Sequence, residues 1–482
     1  MSPIIARRLA LSGALFAGVG ALASQGLAGA AVAPTTPPAA LPTGWSQVRL
    51  PVPEGSAGTA RVAAAQNGRA LATWDVSPVK TGQTDRGAVA VVTGGGTTLA
   101  NVVDLNWAVA AVPVVDATGR GVVLGGRSVY TQRTGLGWAT VSKQGAVSAR
   151  RVFTKADLAL GQSVALAGNA RGDAVAAWIE YTGDGTAAVR AAIRPAGKAF
   201  RAPVTLFAKA DSDADGVAAA IDGTGRIGIA FGARLAGASS SGRRVFVETG
   251  SVKAKALSKP IVAGPQEGNA RIAASFAKGG RLDLAWGSQL AGEEADGPWV
   301  VRATSLGRSA HAIEDVQLLD DGVKDVPRGG PQIVPGPGSS SIVAWNAVDA
   351  KGTHPVRIAV SNPFGQYGKP QTLTDEGALG GLVVRSDGTA LATLATDEGS
   401  ERPMDLATST RSVGAKFAAP APLTTVVRSD GWYSTPTGSQ PPAPALLPAA
   451  GIVPVSALVA WVEQPAGAGS PELVVAKRVL GS

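Results

Sequence analysis

Carboxylates and basic side chains are the groups this chain has to spare for chemistry. Its 482 residues hold 35 Asp and Glu against 44 Lys and Arg, with 2 His and no Cys. The absence of cysteine excludes disulfides, thiolate metal sites, cysteine nucleophiles and a lipidated-cysteine anchor. His311 and His354 stand in different parts of the chain near turns, and no G-x-S-x-G accompanies them. Neither a His-dependent triad nor an imidazole metal site is therefore expected. General acid and base work falls to carboxylates, which need a pair whose environments push their pKa values apart. Glu180, Asp184 and Glu463 are the candidates, and Asp75 is a further candidate contact for a ligand.

Two stretches offer binding chemistry instead. Asp211-Ser-Asp213-Ala-Asp215-Gly216 has the D-x-D-x-D-G spacing that aims alternate carboxylates at one cation, with Gly permitting the sharp turn. Asp222 falls where an EF-hand loop places its bidentate ligand, but Val217 to Ile221 reads as a strand and would carry it roughly 20 Å away. A calcium ion would then rest on Asp211, Asp213, Asp215, a backbone carbonyl and water; a solvated loop is the alternative, and no other cofactor is expected. The second stretch, Leu423 to Pro444, holds Trp432-Tyr433 followed by a Pro-rich tract long for a connector. Adjacent aromatics on such a loop can stack on sugar rings or anchor a protein partner, or tuck the loop onto its own domain.

What must position these groups is a repeat. Between Thr59 and the C-terminus the chain eight times writes a short apolar run, a turn closed by Gly, and a small-apolar run ending in Trp. A second turn and an Arg- or Lys-flanked apolar run follow. One column holds Gly68, Gly119, Gly172, Gly225, Gly280, Ser339, Gly388 and Val455; six residues on, a second holds Trp74, Gly125, Trp178, Phe231, Trp286, Trp345, Leu394 and Trp461. Steps of 49 to 67 residues along the second column suit four short strands with their turns. Short runs rich in Val, Ala and Ile, punctuated by Gly, Asn, Asp and Pro, read as strands and hairpins. Four strands per repeat predict an all-β β-propeller with eight four-stranded blades, or seven if the second repeat, which has Gly125 where the others are bulky, is irregular. Strands are lettered a to d from the axis outward.

The pairs Phe200 and Pro203, Leu257 and Pro260, Tyr367 and Pro370, and Phe417 and Pro420 mark strand d, because proline cannot donate to a ladder and belongs on an edge. The eighth repeat ends before its strand d, while Trp45-Ser-Gln-Val-Arg-Leu-Pro51 stands unpartnered before the first. The N-terminal strand is predicted to complete the last blade and close the ring. The Trp column is assigned to packing between blades.

In such a ring the b–c and d–a connections share one face and the a–b and c–d turns the other. Sorted this way, the acidic residues, including Asp75, Glu180, Asp184 and Glu463, fall on the first face, called the top. Arg69, Arg120, Arg226 and Arg281, beside the turn glycines, fall on the second with many lysines. A basic face can hold anionic polymers or lipid headgroups; solvated turns are the plain alternative. Nucleic acid is not expected, since no aromatics interleave with these arginines.

The first residues read as export. Arg7 and Arg8 precede an uncharged apolar segment with small residues at Ala28, Ala30, Ala31 and Ala33, so 1–33 is expected as a signal peptide, 34–43 as a Pro-rich leader and 44–482 as one propeller domain with an insertion at 424–444. The net charge of +9 becomes +7 when Arg7 and Arg8 leave. After cleavage no transmembrane span remains, and a secreted or envelope-associated monomer is expected.

The blade pattern G-x-A-x-x-A-W, then Arg, then aromatic-x-x-Pro, resembles that of secreted bacterial β-propeller repeat proteins over Trp45 to Ser482. The architecture is shared with sialidase-like glycosidases, and that resemblance implies a glycan-binding top face. Their S-x-D-x-G-x-T-W box is absent; SDGT at Ser386 and SDGW at Ser429 are fragments of it. The expected function is a non-catalytic extracellular binding or scaffold module. Its basic face meets a cell-envelope polymer, and its acidic, aromatic-bearing face meets a glycan or extracellular protein. The alternative is a glycan-active hydrolase using the top-face carboxylates.

Overall fold

The chain folds into eight four-stranded antiparallel sheets arranged as the blades of an all-β propeller. The structure, a computed structural model, describes residues 41–52, 56–65, 67–76, 86–93, 98–107, 109–128, 133–156, 158, 164–181, 187–210, 216–234, 242–266, 270–289, 299–313, 315–320, 330–349, 351–384, 388–395, 404–426, 444–447, 456–463 and 472–479. Blades one to seven run over 56–105, 109–154, 164–210, 217–265, 270–320, 332–374 and 378–426. Blade eight takes three strands from 444–479 and its fourth, Trp45–Pro51, from the other end of the chain. That outer strand pairs antiparallel with Glu472–Val479, from Trp45 opposite Arg478 to Pro51 opposite Glu472.

The second repeat is a regular blade despite Gly125, so the count is eight. Its missing bulk is supplied from strand c: Trp138 joins Phe153, Phe200 and Trp178 in one aromatic group, with ring centroids 5.0 to 6.2 Å apart. In the third blade, strands a, b and c are Val164–Gly168, Ala174–Tyr181 and Ala187–Arg194. Strand d starts later than expected, at Val204, and the same holds at Ile261, Gln371 and Ala421. Each marker proline is thus the last residue of the c–d connection; with no N–H to donate, it ends the turn just before the ladder begins.

The core is divided rather than single. Eight apolar clusters each draw side chains from two neighbouring blades, including one that joins blade one to blade eight. A propeller can therefore grow past the size at which one core stops gaining. Trp74, Trp178, Phe231, Trp286, Trp345, Leu394 and Trp461 are all buried in these clusters, each at a different interface. The a–b turns that precede them need a left-handed residue: Gly68, Gly119, Gly172, Gly225, Gly280 and Gly388 have φ between 79° and 91°, and Ser339 holds the same place at φ 70°.

Candidate functional site

Glu180 and Glu463, expected on top loops, lie inside strand b of their blades, Ala174–Tyr181 and Ser456–Glu463, and are buried. Alternation along a strand puts residues two apart on one face, so Trp178 and Glu180 point together, as do Trp461 and Glu463. The Trp178 indole donates to Glu180 Oε2 at 2.9 Å, and Arg190 Nε on strand c donates to Glu180 Oε1 at 2.9 Å. In blade eight the Trp461 indole donates to Glu463 Oε2 at 2.8 Å, and Arg49 on the closing strand pairs with Glu463 and, at 3.0 Å, with Glu472 Oε2. A third copy crosses between blades. Asp320, at the end of strand d of blade five, accepts from the Trp345 indole at 2.7 Å and from Arg357 at 2.8 Å. These carboxylates hold the indole N–H groups that burial would otherwise leave unpaired. The sequence signal was W-x-E, in Trp178-Ile-Glu180 and Trp461-Val-Glu463, which marks a shared strand face rather than a loop.

Asp75 lies partly buried in strand b of blade one, Ala70–Val76. Asp184, the calcium candidates Asp211, Asp213 and Asp215, and the aromatic pair Trp432 and Tyr433 lie outside the described residues. Among the described residues no cluster of three or more His, Asp or Glu could hold a metal ion.

The arginines expected on a basic face lie at a–b turns. Arg69 of blade one donates to the Lys143 carbonyl of blade two, Arg226 of blade four to the Gly280 and Arg308 carbonyls of blade five, and Arg281 of blade five to the Pro363 carbonyl of blade six. These contacts place a–b and c–d turns together on one face and make the three arginines clasps between neighbouring blades. A turn glycine is what lets the guanidinium lie flat: a Cβ on Gly225 would collide with Arg171, and one on Gly280 with Arg226. Burial lowers the Arg226 guanidinium below its ordinary pKa. Burial also pulls down on Arg281, but its paired bonds to Asp283, at 2.6 and 2.8 Å, outweigh it and hold the group above its ordinary value. Arg120 differs from the clasps, being exposed.

Lys198, Lys253, Lys255, Lys259, Lys278, Arg308, Lys369 and Lys416 are exposed on a–b and c–d turns. The described carboxylates of the same turns are mostly engaged: Asp116 and Asp222 accept three turn hydrogen bonds each, Asp173 holds Arg171, and buried Asp283 holds Arg281 and Ser305. Of the described carboxylates there, Asp315 alone is exposed.

One buried acid fits no prediction. Glu248, in the middle of strand c of blade four, is 3% exposed and sits where other blades carry Ala90, Ala139, Ala192, Thr304, Ala359, Ser409 or Ala476. Its Oε1 has no hydrogen-bond partner among the described residues, and burial pushes its pKa up from 4.5 to about 7. Burial is the whole cause of that rise, with no neighbouring charge contributing to it. Glu248 is therefore not one half of the closely spaced carboxyl pair that glycoside hydrolysis uses.

No protein-family model matches the chain. No curated protein matches it in sequence. Solved structures similar in shape include an ulvan lyase, at 11% identity and TM-score 0.41 over 88% of this chain and 95% of that one. The β-propeller domain of the trilobed protease from Pyrococcus furiosus aligns at 8% identity and TM-score 0.42 over 76% and 98%. The leech intramolecular trans-sialidase aligns at 10% and 0.38 over 90% and 97%. At such values these likenesses carry no functional argument, and the propeller assignment rests on the sheet order itself.

Proposed function

We propose that this chain is an exported, non-catalytic binding propeller that docks through its a–b and c–d turn face on an anionic surface of the cell envelope. One observation carries the reading: the described turns of this face expose a field of Lys and Arg while nearly all of their carboxylates are buried or used within the turns. Like charges gathered on one face of a rigid body raise the local potential far more than the same charges spread evenly. Against the hydrolase alternative stands the engagement of Glu180 and Glu463 by indole and guanidinium.

To the opposite face we assign recognition of a glycan or extracellular protein, with Trp432, Tyr433 and Asp75 as contact residues and a calcium ion at Asp211, Asp213 and Asp215 as an optional brace. A glycan array probed with wild type and Trp432→Ala tests this; equal binding by both would remove the aromatic pair from the ligand site.

For the basic face, pull-down on cell-wall preparations across a salt series is decisive. Binding should fall steeply as ionic strength rises. Reversing Lys253, Lys255 and Lys259 to Glu should weaken it by at least about tenfold, at roughly 1 kcal/mol per charge near an anionic surface. Binding indifferent to salt, or none, overturns the reading.

A further inference from the structure

The basic face also carries apolar tips. Phe364, on the c–d turn of blade six, is 82% exposed, and Val413, on the c–d turn of neighbouring blade seven, is 56% exposed. Lys369 and Lys416, both exposed, stand on the same two turns, and Arg308 is exposed on the c–d turn of blade five.

The Phe364 turn is well braced. Asn362 Oδ1 accepts from the backbone N–H of Phe364 at 2.9 Å and of Gln366 at 3.0 Å, Asn362 N donates to the Gln366 carbonyl at 2.8 Å, and Arg281 of blade five grips the Pro363 carbonyl. The ring thus stands in water on a turn held by both its own blade and the next. Holding a large aromatic in water forgoes the free energy its burial would release. A hydrated polyanion without sugar rings, such as polyphosphate, gives such a side chain nowhere to go, and a sugar polymer would leave the ring half in water. The boundary between headgroups and acyl chains does give it a place, and it draws the flanking lysines to the phosphates at the same time.

We propose that this face docks on an anionic lipid bilayer, with Phe364 and Val413 entering the interface between the headgroups while Arg308, Lys369 and Lys416 meet the phosphates. The inference rests on the basic-face reading above and narrows its partner from any anionic surface to a lipid one. Insertion is shallow, two side chains deep, so docking is reversible. The basic residues supply long-range attraction, and the apolar tips supply the part that salt does not screen.

The test is flotation of the full chain with phosphatidylglycerol–phosphatidylcholine vesicles, with pure phosphatidylcholine vesicles and soluble polyphosphate as the other arms. Wild type should bind the anionic vesicles and leave a salt-resistant residue of binding. Phe364→Ser, at a position too exposed to matter for folding, should weaken vesicle binding roughly tenfold while leaving polyphosphate binding unchanged. In the Phe364→Trp variant, brominated acyl chains should quench the added indole above the wild-type background. Vesicle binding that Phe364→Ser leaves intact, or an added indole that stays unquenched, overturns the lipid inference and leaves the basic face standing. Failure to bind both vesicles and polyphosphate overturns both.

Discussion

At the scale of single residues, burial decides what a carboxylate can do, and three of them show three outcomes. Glu180 is buried with two partners, Glu248 with none on its Oε1 among the described residues, and Asp315 is left to solvent. For Glu248 the sign of the pH dependence follows directly. Its folded pKa of about 7 lies above the ordinary 4.5, so between these values the folded chain keeps a proton that the unfolded chain has released. Stability contributed by the neutral acid is complete below pH 4.5 and is lost as pH rises to about 7, at up to about 1.4 kcal/mol per pH unit. Urea melts of Glu248→Gln should be flatter than wild type over that window and more stable above it; parallel curves would refute the assignment. Glu180 predicts the opposite kind of result. Arg190→Leu should cost about 3–5 kcal/mol, because it leaves a buried charge uncompensated, and adding Glu180→Gln, which removes the charge but keeps an acceptor for the Trp178 indole, should recover much of the loss. A double-mutant cycle by thermal unfolding reads this directly. Both residues were within reach of sequence reasoning. W-x-E gives the pairing once Trp178 is placed on a strand, and aligning strand c as a column would have exposed Glu248 among alanines. What could not be read was that Oε1 of Glu248 finds no partner among the described residues, since that depends on every side chain of blade three that faces it.

At the scale of the element, the a–b turn is the repeating part that links local backbone to the ring. Seven of the eight turn positions lie among the described residues, and six are Gly. The seventh, Ser339, takes the same left-handed conformation at φ 70°, which costs a residue with a Cβ about 1 kcal/mol. Ser339→Gly should therefore leave the fold unchanged and raise its stability by roughly 0.5–1 kcal/mol, measurable as a shift in urea midpoint. Gly225→Ala should do the reverse and more, since the new methyl meets Arg171 and Val252 as well as the wrong backbone region. The turn glycines were plain in the sequence. The arginines beside them were too, and they read as free charges, because nothing along one repeat tells which carbonyl of the next blade lies within reach of a guanidinium. The strand-d shift has the same character: the prolines were found, but a proline is compatible with the end of a turn and with the start of an edge strand alike.

At the scale of the whole molecule, closure ties the first described strand to the last. Removing residues 1–52 should leave blade eight with three strands and Glu463 and Glu472 without Arg49. The melting temperature should fall by several degrees and recover when a peptide of residues 44–52 is added; an unchanged melt would mean that the closing strand contributes little. The eightfold count and the closure were legible because spacing alone specifies them. The opposite face was not, because its loops differ from blade to blade in length and composition and share no column.

The seam has a mechanical consequence. Trp45 and Arg478 pair at the end of the ladder where the two outer strands leave the sheet together. Tension applied across that junction does not shear all seven pairs at once; it opens them singly, from Trp45 inward. The ion pairs of Arg49 lie toward the far end of the ladder, near Pro51, and meet the load last. A ring that resists heat through eight shared cores should thus yield to a modest pull at one place, with Arg49 as the stop that keeps a partly opened seam from parting.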